Sequence, residues 1–214
     1  MLDRLISKNE KILEEKFNIK PKLTSYKTYN KDGWQKFCNS RNSINKAEGI
    51  FLPRTLSANV LKDSEYFETN FNHEYFGHGF FCEYSLIGRE LVQKEKELES
   101  LEKKMLNLDK LPENTKITID NTTPYFDNYV SKRKKLTNFV DNNLYLYEGF
   151  AIWMEYFLAK QKGSIEIFNK KFDTLDIYLK KSFDNLKAFE ASYGEYDLLT
   201  CLGFEINLNS SNKN

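Results

Sequence analysis

Both histidines of this 214-residue chain lie in one short segment, FNHEYFGHGFF, which runs from Phe71 to Phe81. They are His73 and His78, five residues apart, and Glu74 directly follows the first of them. In an α-helix, five residues advance the chain by ~500°, which turns His78 about 140° away from His73. A regular helix therefore separates the two imidazoles, and they converge only if a local π-bulge absorbs one residue.

Gly77, which directly precedes His78, favours such a bulge because it has no side chain that would clash. Imidazole is the commonest metal ligand in proteins, and a metal-activated water needs a nearby carboxylate to accept its proton. The pattern HExxxH therefore predicts a metal site with His73 and His78 as ligands and Glu74 as the general base. The alternative interpretation is two unrelated histidines in a partly buried helix.

A catalytic zinc site needs a third protein ligand and leaves its fourth position to water. The chain has no third histidine, so a carboxylate or a thiolate must complete the site. The helical segment YEGFAIWMEY places Glu148 and Glu155 seven residues apart on one otherwise apolar face. Carboxylates on such a face need a metal, a partner charge or hydrogen bonds. One of them can bind the metal and the other can hold a histidine ring or a substrate amine. For Glu155, a solvent-facing carboxylate at a helix edge is an equally good interpretation.

The segment HEYFGHG resembles the HExxGHG motif of the dipeptidyl peptidase III family of zinc peptidases. The segment EGFAIWME is similar to the EGxAxxxE helix that supplies a glutamate ligand in several gluzincin metallopeptidases. The resemblance is confined to these two segments. It implies a zinc ion (Zn2+) bound by His73, His78 and Glu148, with Glu74 as the catalytic base that activates the water.

The chain also departs from that family. Dipeptidyl peptidase III enzymes are several times longer, and a second lobe builds their substrate cleft. Their second motif begins with paired acidic residues, whereas Tyr147 precedes Glu148 here. The resemblance therefore implies a compact gluzincin-type metallopeptidase domain with this metal site, and it does not extend to the dipeptide-releasing specificity.

Peptide hydrolysis also needs a hydrogen-bond donor for the developing oxyanion. Tyr193 and Tyr196 are the candidates, because Gly194 between them gives the backbone freedom to turn a phenol inward. Tyr145 and Tyr147 are the alternatives. Zincin-type peptidases hold an extended substrate against an edge strand that precedes the metal helix, and Gly49–Leu52 stands in that order. The alternative is an ordinary edge strand that binds no substrate.

Composition excludes several classes of partner. The chain has 32 basic and 31 acidic residues, so its net charge of +1 gives no overall attraction to nucleic acid or membranes. Its cysteines, Cys38, Cys82 and Cys201, form no CxxC pair, which indicates a reducing compartment. The sequence shows no apolar signal segment and no apolar run of ~18 residues. We expect a cytoplasmic protein that acts on a peptide or protein substrate.

The expected fold is mainly α (α+β), a zincin-like metallopeptidase domain with a small sheet and a long amphipathic helix insertion. A single domain is expected over residues 1–208, with a helical arm at 84–108 and a polar tail at 209–214. Helices are expected at 2–17, 64–81, 84–108, 142–162 and after Ser164, and strands at Gly49–Leu52 and 116–120. The alternative function is a non-catalytic helical interaction protein with a structural or vestigial metal site, in which the arm binds the partner.

Overall fold

The computed structural model describes residues 2–41, 47–108 and 119–204, and the predicted polar tail lies outside them. The protein is mainly helical with one small sheet, which confirms the α+β prediction. The strands are β1 (Ser25–Tyr29), β2 (Gly49–Leu52) and β3 (Ser57–Leu61). The α-helices are α1 (Leu2–Phe17), α2 (Lys31–Asn39), α3 (Phe67–Phe71), α4 (Gly79–Tyr84), α5 (Leu86–Leu108), α6 (Ile119–Lys162), α7 (Ile165–Asp173), α8 (Ile177–Tyr193) and α9 (Glu195–Cys201). A π-helix, Asn72–His78, joins α3 to α4.

The sheet has the order β1-β3-β2, with β1 parallel and β2 antiparallel to β3. Among the described residues, no strand pairs with the outer edge of β2, so the predicted edge strand is confirmed. The N–H of Leu61 donates to the carbonyl of Glu48 at 2.9 Å, which makes these two residues a hydrogen-bonded pair. Since such pairs alternate along an antiparallel ladder, the backbone groups of Gly49 and Phe51 point to the free edge.

The centre of the protein is the contact between the π-helix and α6. Both elements carry fully buried aromatic side chains, among them Phe76 and Trp153. A Cβ added to Gly77 would lie 2.6 Å from the Cα of Ala151 in α6, so the two backbones meet at this glycine. This close approach places the π-helix directly opposite the segment of α6 that begins with Glu148.

Helices α5 and α6 form an antiparallel pair. The Lys132 ammonium lies 2.5 Å from Glu97, and the Tyr129 hydroxyl donates to Glu102 at 3.4 Å. The predicted arm therefore packs along α6, and α5 buries Leu91, Val92, Leu98 and Leu101. None of the helices in the described part of the chain combines the length and apolar character that a membrane crossing needs.

The structure corrects three of the predicted boundaries. Helix α6 begins at Ile119 rather than near residue 142, and it contains Pro124. The strand predicted at 116–120 is therefore wrong for Ile119 and Asp120, and residues 116–118 lie outside the described ranges. The helix predicted after Ser164 is two helices, because Asp176 caps α8 through hydrogen bonds to the N–H groups of the next turn.

Candidate metal centre

The π-helix brings the two histidines together. The N–H of Gly79 donates to the carbonyl of Glu74, five residues back, which is the hydrogen bond that defines a π-turn. The extra residue in this turn rotates His78 back towards His73, and their ring centroids are 4.7 Å apart. The bulge predicted from the five-residue spacing and Gly77 is therefore confirmed.

Glu148 approaches both imidazoles with a single oxygen atom. Its Oε2 lies 3.5 Å from Nε2 of His73 and 3.7 Å from Nε2 of His78. Around a tetrahedral zinc ion with ligand bonds of ~2.0–2.1 Å, neighbouring ligand atoms are ~3.3 Å apart. Both distances are close to the spacing of donors around a shared ion, and ligand atoms of His73, Glu74 and His78 also lie within 4.8 Å of one another. The predicted ligands come together in the structure.

Glu74 is buried between the two histidines of the candidate site and the sheet. Its side chain packs against β2 so closely that a Cβ on Gly49 would lie 2.6 Å from its Oε1. Burial raises the pKa of Glu74 to about 7. A carboxyl group with such a pKa can accept and return a proton near neutral pH, as a general base must.

This raised pKa gives the metal-free protein a testable pH dependence. The folded pKa of about 7 exceeds the value of 4.5 for the free side chain, so ionisation of Glu74 opposes folding as pH rises through that interval. Glu74→Gln removes the ionisation. The free energy of unfolding of the variant should exceed that of the native chain, and this excess should be ~2 kcal/mol larger at pH 8 than at pH 5. Denaturant unfolding with a chelator present measures the difference, and the exposed Glu166→Gln serves as the control. A gain that is the same at both pH values would contradict the prediction.

Glu155 holds the far side of the His73 ring. Its Oε2 lies 3.3 Å from Nδ1 of His73 and accepts a hydrogen bond from the Lys171 ammonium at 2.8 Å. The residue is only 2% exposed, so it is not the solvent-facing carboxylate of the alternative interpretation. The contact with His73 is electrostatic, because Nδ1 of His73 has no hydrogen-bond partner among the described residues. A carboxylate beside Nδ1 still favours a proton on that nitrogen, which leaves Nε2 free to bind a metal.

Lys171, in α7, was missed by the sequence analysis. It follows Lys170, the other lysine of this helix, and belongs to no motif. The available signal was indirect, because a buried Glu155 requires a partner charge.

The protonation of the candidate centre follows from its contacts. Burial alone would lower the pKa of His73, but Glu148 and Glu155 contact the ring and raise that pKa to about 9. Burial lowers the pKa of His78 to about 3, and its Nδ1 has no hydrogen-bond partner among the described residues. The candidate centre therefore holds one protonated imidazole between two carboxylates. A divalent cation can replace that proton, so the donor set fits a metal ion.

Tyr193 and Tyr196 do not reach this centre. Tyr193 is 65% exposed and packs against Phe189, while the hydroxyl of Tyr196 donates to the backbone carbonyl of Lys16. Gly194 has a φ of 95° and connects α8 to α9, so its freedom serves the helix junction instead of an inward phenol. The oxyanion role expected of these two tyrosines is not supported.

The alternative candidates, Tyr145 and Tyr147, lie within three residues of Glu148 in the sequence. Tyr147 stacks on His78 with ring centroids 4.0 Å apart, and its hydroxyl interacts with Cys82. Tyr145 is 39% exposed.

Comparisons with protein-family models, with curated proteins and with solved structures find no match for this chain. The functional assignment accordingly depends on the geometry of these side chains.

Proposed function

We propose that this protein is a zinc-dependent metallopeptidase of the gluzincin type, built on a zincin-like domain. The observation that carries the proposal is the approach of one Glu148 oxygen to Nε2 of both His73 and His78. Two imidazoles and one carboxylate are a donor set found in catalytic zinc sites, where they leave a position open for water and substrate.

The residues around this position supply the steps of hydrolysis. A bound zinc ion would provide Lewis acidity and make water more acidic. Glu74 would take the proton from the attacking water and return it to the leaving amine. Glu155 would keep His73 in the binding tautomer, with Lys171 balancing its charge.

The free edge of β2 supports a peptide as the substrate. Gly49 and Phe51 direct their backbone groups to that edge, where an extended peptide can add as a further strand. The same two residues also contact the candidate site. Gly49 packs against Glu74, and the ring centroid of Phe51 lies 6.0 Å from that of His78. A peptide bound along β2 would therefore pass the general base.

Zinc content tests the proposal. We expect about one zinc per chain in the purified native protein, measured by elemental mass spectrometry. His73→Ala and Glu148→Ala each remove one donor and should lower zinc affinity at least ~100-fold, because fewer than three protein ligands remain. The exposed Glu166→Ala is the matched control and should retain the metal. A native chain that takes up no zinc from excess, or a Glu148→Ala variant that binds zinc normally, would contradict the proposed site.

A further inference from the structure

A cavity of about 290 Å³ adjoins the candidate metal centre. Glu148 and Tyr147 of α6 form the wall nearest the metal ligands, and Phe51 of β2 lines the cavity from the sheet. Helices α5 and α6 build most of the remaining wall, with Ile87 and Leu144 among their side chains, and Pro53 and Phe81 complete it. The cavity therefore lies between the free strand edge, a metal ligand and the helical arm.

The lining is suited to an apolar occupant. Its polar side chains have partners within the protein: Glu95 lies 3.2 Å from Arg54, and the Asn143 amide donates to the carbonyl of Phe139 at 2.8 Å. The remaining lining, away from Tyr147 and Glu148, is aliphatic or aromatic. Ligand cavities commonly measure ~300–1,000 Å³, so this volume suits one large side chain better than a whole cofactor.

We infer that this cavity accepts a large apolar side chain, of the phenylalanine or leucine class, from a substrate residue beside the cleaved bond. The inference rests on the proposed peptidase function, because Glu148 links the cavity to the metal centre and Phe51 links it to the strand edge. A peptide lying along β2 presents alternate side chains on one face. One of them would then enter the cavity while the neighbouring peptide bond lies at Glu74.

Peptide binding to a Glu74→Gln chain tests the cavity separately from catalysis. The probes are two capped pentapeptides of alanine, one with phenylalanine at its centre, and their Kd values are measured by NMR titration with and without zinc. We expect the phenylalanine peptide to bind at least ~10-fold more tightly, because its ring is transferred from water into the apolar cavity. Leu144→Asp, at a side chain 46% exposed, should abolish this preference. The control Ile177→Asp, at the exposed first residue of α8, should preserve it.

The outcomes separate the cavity from the metal site. A preference that persists without zinc and disappears in Leu144→Asp supports the cavity, even if the zinc measurements fail and the peptidase proposal falls. Equal or undetectable binding of both peptides overturns the inference, even if the protein binds zinc and hydrolyses peptides. A preference that survives Leu144→Asp places the phenylalanine elsewhere and also overturns it.

Discussion

The Glu74→Gln variant is expected to hydrolyse peptides about a thousandfold more slowly than the native protein, measured as kcat/KM, while it retains its zinc. A positioned general base contributes 10²–10⁴-fold to such reactions, and glutamine cannot accept the proton. The substitution is nearly isosteric, so the packing of this side chain against Gly49 should survive. Zinc should remain, because both histidines and Glu148 are unchanged.

Glu166→Gln is the matched control for this experiment, since it makes the same chemical change on an exposed turn of α7. Full activity in Glu74→Gln would show that Glu74 is not the base. Loss of zinc from that variant would assign Glu74 to metal binding instead. A native protein that binds zinc but cleaves no peptide would favour the alternative of an interaction protein with a structural metal site.

The Gly77→Ala variant is expected to lose about 3 kcal/mol of unfolding free energy and to bind zinc more weakly. Its new Cβ would lie 2.6 Å from the Cα of Ala151 and 2.8 Å from its Cβ, and neither backbone can yield as a flexible side chain would. Overpacking of a buried contact costs ~1–3 kcal/mol or more, which outweighs the helix propensity gained from alanine. Separation of the π-helix from α6 would also move both histidines away from Glu148.

Gly33→Ala provides the comparison, because it makes the same change in α2. There the new Cβ would lie 3.0 Å from the side-chain oxygen of Asn30, which can shift. We expect this control to leave the unfolding free energy within ~1 kcal/mol of the native value. Denaturant unfolding of both variants, followed by zinc titration, measures the effects. Native stability and native zinc affinity in Gly77→Ala would refute the close backbone approach.

The parts of the centre that depend on local geometry could be predicted from the sequence. The five-residue spacing of the histidines, with Gly77 between them, required a π-turn, and the structure contains one. Glu148 and Glu155 could be selected because two carboxylates on an apolar helix face need partners. These arguments use only the periodicity of a helix and the free energy of burying charge.

The parts that depend on tertiary contacts could not be predicted. Lys171 approaches Glu155 from another helix, and nothing in its neighbouring sequence distinguishes it from other lysines. The first half of α6 is stabilised by its pairing with α5, including the contact between Lys132 and Glu97. Packing of this kind outweighs local propensity in most helices. Tyr196 was assigned to the site from the flexibility of Gly194, while its actual partner is on α1.

The π-helix gives this centre an unusual response to changes in chain length. Deletion of one residue from an α-helix rotates everything beyond it by ~100° and separates side chains that had shared a face. Deletion of Phe76 would instead leave His73 and the second histidine four residues apart, the spacing at which a regular α-helix already places them together. The segment would exchange one helical hydrogen-bonding pattern for another while α4 kept its orientation. A single-residue deletion at this point is therefore a change of helix type, and the ligands remain on the face that meets Glu148.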